Sequence, residues 1–197
     1  MFSDVGGVLL TNGWDRGSRR KACEKFGLDG EEFEDRHELV AAAFDEGELT
    51  LDQYLDRTVF YRSRNHSRQD FRAFMYAQSE SFPESLAVIG RLAQLRKRFL
   101  ATINNESLDL NLYRINRFGL RNYFSAFFSS CFLHAKKPEE AIYRRALEIT
   151  QRPPEECVFI DDRALNLECA RLLGMHTIRF QSADRLVSEL AGLGVEV

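Results

Sequence analysis

Three short apolar runs, rich in β-branched or aromatic residues, each stop at polar groups: Met1 to Gly7, Arg98 to Asn104 and Cys157 to Asp162. Ala126 to Phe132 and His176 to Phe180 are two more of the same kind. Runs of this length are too short for helices, and their nearly continuous apolar character suits strands buried on both faces of a parallel sheet. Amphipathic stretches separate them, such as Pro138 to Thr150, where Pro138 suits the first helical position and Glu139 and Glu140 suit the positive end of the helix dipole. From about residue 82 onward, strands and helices alternate, which predicts an α/β fold with a doubly wound parallel sheet.

Residues 15–81 break the alternation, reading as helix after helix with no convincing strand. The expected organisation is therefore a core built from residues 1–14 and 82–197, interrupted by a small, all-helical cap. Within the insertion, Thr50-Leu51-Asp52-Gln53 is a capping-box pattern, and Gly27, Gly30 and Gly47 mark helix ends. Phe33, Phe44, Tyr54, Phe60, Phe71, Phe74 and Tyr76 are expected to form the core of that bundle.

The net charge of −3, spread over 27 basic and 30 acidic residues, leaves no basic face for nucleic acid and no polybasic membrane patch. Cys23, Cys131, Cys157 and Cys169 lie far apart without a CxxC, so they read as buried thiols rather than zinc ligands or a redox pair. The beginning, MFSDVGGVLL, lacks the basic region of a signal peptide, and no stretch has the roughly 20 apolar residues needed to span a bilayer. A cytoplasmic protein is expected, a monomer or homodimer, with a small metabolite as its partner.

In an open α/β sheet, ligands bind outside the carboxyl ends of the strands, so the polar ends of the runs should meet. Asp4 ends the first and is followed by Gly6 and Gly7, which let backbone approach a ligand closely. Asp161 and Asp162 end another, and two adjacent carboxylates there repel each other unless a cation sits between them. An oxygen-rich site with few ligands favours Mg²⁺. Lys137, held before a helix by Pro138, is a phosphate-attracting charge, and Asn104 and Asn105 offer amide groups to phosphate oxygens. The alternative, that one of these polar groups merely caps the following helix, Ala164 to Leu173, stands for Asp161 or Asn166 taken singly.

In order, DVGGVL, the strand ending in Asn104-Asn105, Lys137-Pro138, and FIDDRALN followed by ARLLGM resemble the four motifs of the haloacid dehalogenase-like (HAD) superfamily, with its Rossmann-like core and a helical cap. The resemblance implies two-step phosphoryl transfer in which Asp4 is the nucleophile and an aspartyl-phosphate is hydrolysed by water. It places Mg²⁺ on Asp4, the Gly6 carbonyl and Asp162, with Asp161 as an orienting catalytic group or alternative ligand and Lys137 on the phosphoryl oxygens. At the second motif, the resemblance admits Asn104 or Thr102, and Asn104 is preferred; Asn105 lies behind it.

One departure from the family pattern bears on mechanism. Phosphatases of this superfamily commonly carry an acidic general acid two residues after the nucleophile, and here that position is Gly6. General acid–base catalysis is typically worth about 10² to 10⁴-fold. A good leaving group such as an anomeric hydroxyl, a cap residue or Glu106 are the expected compensations, and the D-x-G branch resembles sugar phosphatases. Two rivals stand beside the phosphatase: a noncatalytic binding or regulatory protein, and a 2-haloacid dehalogenase, which uses the same nucleophile on carbon without a metal. Trp14 and Arg16 are expected either at the cleft or packed at the hinge and solvated; His66 and His134 have no assigned role.

Overall fold

The computed structural model describes all residues 1–197. Five parallel strands form one sheet: β1 (Phe2–Ser3), β2 (Ala101–Asn104), β3 (Ala126–Ser129), β4 (Val158–Asp161) and β5 (His176–Arg179), in the order β3-β2-β1-β4-β5. All five expected runs are strands, each shorter than its apolar run. Met1 to Gly7 shrinks most, to the two residues of β1, and Ala126 to Phe132 turns at Ser130 into a one-turn helix, α7 (Ser130–Leu133). Four helices fill the insertion, α1 (Arg16–Phe26), α2 (Gly30–Asp45), α3 (Leu51–Thr58) and α4 (Arg68–Ala77), and none of the residues between β1 and α5 (Pro83–Leu95) forms a named strand.

Side chains alternate across the sheet as the period of 2 requires, dividing the core in two. On one face, Ile160 and Ile178 pack with Val88, Ile89, Ile115, Leu186 and Leu190, from α5, α6 (Leu108–Arg117) and α10 (Ala183–Gly192). On the other, Phe2, Ala101 and Phe159 pack with Ile142, Tyr143 and Leu167 from α8 (Glu140–Thr150) and α9 (Ala164–Leu172). The sheet is thus covered on both faces, the doubly wound arrangement. The chain lays β2 and β3 on one side of β1 and then crosses to β4 on the other. That reversal opens a crevice at the carboxyl ends of β1 and β4, where Asp4, Asp161 and Asp162 lie.

The helical insertion has its own core. Phe33, Phe44, Tyr54 and Phe71 are buried with Trp14, while Phe60, Phe74 and Tyr76 pack around them. Thr50 and Gln53 form the expected capping box, and Gly27 ends α1 in the left-handed region at φ 63°. Gly30 does not end a helix; it is the first residue of α2, capped by Asp29. Pro138 likewise departs from expectation. It sits before the helix, joined to Lys137 by a cis peptide bond, and Glu139 is the N-cap of α8. Two extended segments join insertion to sheet and pair there: Thr11 N donates to Glu80 O at 2.9 Å, and Phe82 N to Leu9 O at 2.8 Å. No helix is long and apolar enough to cross a membrane.

Candidate active site

Lys137 is the centre of the site. Its Nζ lies 2.7 Å from Asp4 Oδ2 and 2.7 Å from Asp161 Oδ2, and only 4% of the residue is exposed. A buried ammonium needs such partners, because an isolated one would carry a desolvation cost of several kcal/mol. The loop holding it is fastened to the strand-end amide: Asn105 Oδ1 accepts from Lys137 N at 2.8 Å and Asn105 Nδ2 donates to Lys137 O at 2.9 Å.

Asp4 follows the two-residue β1, its amide still in register with β4 through a 2.8 Å bond to Ile160 O. Its Oδ1 accepts from Val5 N at 2.7 Å, which leaves Oδ2 to Lys137. Burial pushes this carboxyl well above the usual carboxylate range, Lys137 pulls it back down, and Asp161 adds to the rise.

Asp161 and Asp162 are adjacent but differently placed. Asp161 is fully buried and saturated with donors: Lys137 Nζ, Asn166 Nδ2 to both oxygens, and Arg163 N at 2.8 Å, the last at the start of α9. Asp162 turns into the crevice, and its Oδ1 is buried with no hydrogen-bond partner. Burial and the neighbouring Asp161 both raise the Asp162 pKa. Gly7 makes this approach possible. At φ +73° it lies against Asp162, and a Cβ there would meet Oδ2 at 2.4 Å. Oxygens from Asp4, Asp161 and Asp162 all lie within 4.8 Å of one another.

A polar cavity of about 460 Å³ extends from these groups to the insertion. Asp4, Gly6, Asn105, Lys137 and Asp162 line it from the core, so these expected site residues are brought together. Two are not. Asn104 is 2% exposed, with its amide spent on Asn111 and its carbonyl on Ser129 and Thr102; it points away from the cavity. Thr102 and Asn104 do share a face, as strand alternation requires, and Asn104 is bonded there to Asn111 of α6, so Asn105, one residue beyond β2, is the one that lines the cavity. Asp161 is likewise off the wall and meets the cavity through Lys137, Arg163 and Asn166.

The insertion contributes groups that sequence patterns did not single out. Arg19 of α1 pairs with Glu34 at 2.8 Å, while His37 and Asp45 come from α2. Trp14 Nε1 donates to the Tyr54 hydroxyl at 2.9 Å, and that hydroxyl is 2.9 Å from His37 Nδ1. The indole only donates, so the hydroxyl accepts from it, while the direction of the bond between the hydroxyl and Nδ1 follows the imidazole tautomer. Burial and then Arg19 lower the His37 pKa to about 4, which keeps the ring neutral near pH 7. His37 was visible as a polar interruption in the apolar stripe Phe33, Val40, Phe44. Nothing local marks Asp45. Trp14 both packs the insertion and lines the cavity, whereas Arg16 is exposed outside it. His66 stacks on Phe26 and Phe71, and His134 bonds the Glu46 carbonyl.

The haloacid dehalogenase-like hydrolase family model matches residues 2–174, which spans the insertion and four of the five strands. The chain belongs to the haloacid dehalogenase-like hydrolases. Flavin mononucleotide hydrolase 1 of Arabidopsis thaliana is 26% identical over 162 residues, covering 82% of this chain and 65% of its own length. Bifunctional epoxide hydrolase 2 of Sus scrofa is 33% identical over 102 residues, 49% of this chain and 18% of that protein. The chain thus spans less than two thirds of either relative. A HAD family enzyme from Bacteroides thetaiotaomicron, solved with magnesium and inorganic phosphate, superimposes with a TM-score of 0.75 at 20% identity, covering 91% of this chain and 92% of that one. An L-2-haloacid dehalogenase aligns with a TM-score of 0.62 at 20% identity, covering 91% of this chain and 82% of that one. At such identities the likeness is one of fold.

Proposed function

We propose that this hydrolase is a Mg²⁺-dependent phosphatase of small phosphomonoesters, with Asp4 as nucleophile. One observation carries the reading: Lys137 joins Asp4 and Asp161 beside an Asp162 whose buried oxygen has no partner. That orphaned oxygen fits a hard cation, since a buried acceptor without a donor or metal costs about 1–3 kcal/mol or more. Asp162, Asp4 and the Gly6 carbonyl, which accepts no hydrogen bond, are the groups that would hold it. Bound there, Mg²⁺ would offset charge on the transferring phosphoryl group.

The chain's own residues supply the rest. Asp4 Oδ attacks phosphorus and takes the phosphoryl group, and water then frees it as phosphate. Lys137 Nζ, fixed by two carboxylates, neutralises charge on the phosphoryl oxygens. Asp161 positions Lys137 and Asn166 rather than touching substrate. We assign residues 15–81 the role of a cap that selects the leaving group, on a core of residues 1–14 and 82–197. The wall of the cavity is almost wholly polar, with Trp14 and Phe44 as its hydrophobic members, which suits a hydroxyl-bearing group such as a sugar better than a three-ring flavin. A dehalogenase would leave the Asp162 oxygen unexplained, and a pure binding protein would not need a nucleophile beside a cation site.

The purified protein is expected to hydrolyse p-nitrophenyl phosphate with Mg²⁺ and not with EDTA. Asp4→Asn should lower kcat by about 10³-fold or more while leaving the circular dichroism spectrum unchanged. Calorimetry gives a readout independent of turnover: Mg²⁺ should bind the wild type and fail to bind Asp162→Ala. A panel of sugar phosphates, flavin mononucleotide and 2-chloropropionate ranks the substrates, and turnover of the haloacid in EDTA would overturn the assignment.

A further inference from the structure

Alkyl phosphates release a poor leaving group, and the transfer is slow unless a proton arrives at the departing oxygen. The core wall offers no free acid for this. Gly6 has no side chain, Asp4 is the nucleophile, Asp162 faces the cation site, and Glu106 is bound to Arg114 Nη1 at 2.6 Å and to Ser107 N at 3.1 Å. In the cap, Asp15 accepts from Ser18 N at the start of α1, and His37, tied to the Tyr54 hydroxyl, has its pKa lowered to about 4 and holds no acidic proton near neutrality. Asp45 differs from all of these. Its carboxyl lines the same cavity and has neither a hydrogen bond nor an ion pair.

Its position is also fixed. Asp45 is the last residue of α2, and its carbonyl accepts from Ser130 Oγ at 2.6 Å. The next carbonyl, of Glu46, takes the His134 Nδ1 hydrogen at 2.8 Å. Gly47 then lies so close to the Cys131 backbone that a Cβ would be 2.5 Å from the Cys131 carbonyl oxygen. Residues 130–134 lead directly to Lys137, so the segment that carries the phosphate-binding cation also holds the end of α2.

We propose that Asp45 is the general acid and base of this site, supplied by the cap in place of the side chain that Gly6 lacks. The inference rests on the phosphatase reading. In the first step, Asp4 forms a bond to phosphorus, the phosphorus–oxygen ester bond breaks, and the Asp45 proton passes to the leaving oxygen, giving a neutral alcohol. In the second, Asp45 carboxylate takes a proton from water as the water oxygen attacks phosphorus, releasing hydrogen phosphate and restoring Asp4 carboxylate and Asp45 acid. The surroundings suit a group that must both give and take a proton near neutrality. Burial and then Glu106 raise the Asp45 pKa to about 7, opposed by Lys136 and Arg19, with Glu46 adding slightly to the rise.

The test compares kcat/KM, which reports the transfer to Asp4, for glycerol 3-phosphate and p-nitrophenyl phosphate in wild type, Asp45→Asn and Asp4→Asn. Asp45→Asn should lower the glycerol 3-phosphate value by about 10² to 10⁴-fold and the aryl value by less than about 10-fold. It should also produce a burst of nitrophenol, because the second step then lacks its base. In wild type the glycerol 3-phosphate value should fall as pH rises through about 7, where Asp45 loses its proton, and this limb should vanish in Asp45→Asn. Equal losses on both substrates, or none, overturn the assignment. Hydrolysis of neither phosphate by wild type, or full activity in Asp4→Asn, overturns the phosphatase reading beneath it. Misfolding is separable: a carboxyl with a raised folded pKa stabilises less as pH rises from about 4 to about 7, so Asp45→Asn should melt no lower than wild type at pH 8.

Discussion

Two carboxylates share one buried ammonium at Lys137, and the consequences of removing it differ for each. In Lys137→Met, Asp161 keeps the Asn166 and Arg163 donors, while Asp4 keeps only the Val5 amide. Breaking a buried pair typically costs about 3–5 kcal/mol, and protonation of Asp4, whose pKa is already raised, offsets part of that. Lys137→Met should therefore melt lower than wild type, by less at acid pH than at pH 8, and should lose activity. Gly7 gives a cleaner test of the cation site. Gly7→Ala puts a methyl where Asp162 Oδ2 now lies, on a backbone at φ +73°, so Asp162 must move. Calorimetric Mg²⁺ affinity is expected to fall by about 10 to 100-fold, the usual consequence of misplacing a ligand's support. Unchanged affinity would remove Asp162 from the ligand set.

The start of α3 is held by local chemistry outside the cavity wall. Thr50 accepts from Gln53 N at 3.2 Å and Gln53 Oε1 accepts from Thr50 N at 2.9 Å, while Leu51, Tyr54 and Leu55 bury the face of α3 that follows. Thr50→Ala removes one half of this box and should cost about 1 kcal/mol in chemical denaturation, with kcat unaffected. Such caps and stripes are readable because both partners lie within four residues. Strand ends are less so. The run from Ala126 to Phe132 is apolar over most of its length, yet it turns at Ser130, whose hydroxyl donates to the Asp45 carbonyl and accepts from the Glu106 amide. Those contacts lie 85 and 24 residues away, beyond any local pattern.

At the scale of the whole molecule, the proposed division of labour is between a core that would hold cation and phosphate and a cap that would meet the leaving group. The two are coupled where Gly47 abuts Cys131 and where Ser130 Oγ donates to the Asp45 carbonyl. Gly47→Ala would force the end of α2 away from α7. The expected outcome is a loss of about 10-fold in kcat/KM for glycerol 3-phosphate with Mg²⁺ affinity unchanged, since every proposed ligand belongs to the core. A parallel loss of Mg²⁺ affinity would mean that the cap also shapes the cation site.

The order of strands and helices, the position of the insertion and the residues Asp4, Lys137 and Asp162 were legible in the sequence. Strand ends in a parallel sheet carry polar groups into one crevice, and a run's length and periodicity are local properties. Which neighbour each group meets is not local. Asn104 and Asn105 look equivalent in sequence, but alternation sends the first into Thr102, Ser129 and Asn111 and the second to Lys137. Asp161 and Asp162 separate in the same way, one saturated with donors and the other left with a free oxygen. Asp45 reaches the cavity wall because the end of α2 packs against α7, where the close approach of Gly47 to Cys131 and the Ser130 bond to the Asp45 carbonyl fix it. Composition and spacing determine which elements form; the packing of distant elements decides which side chains face one cavity.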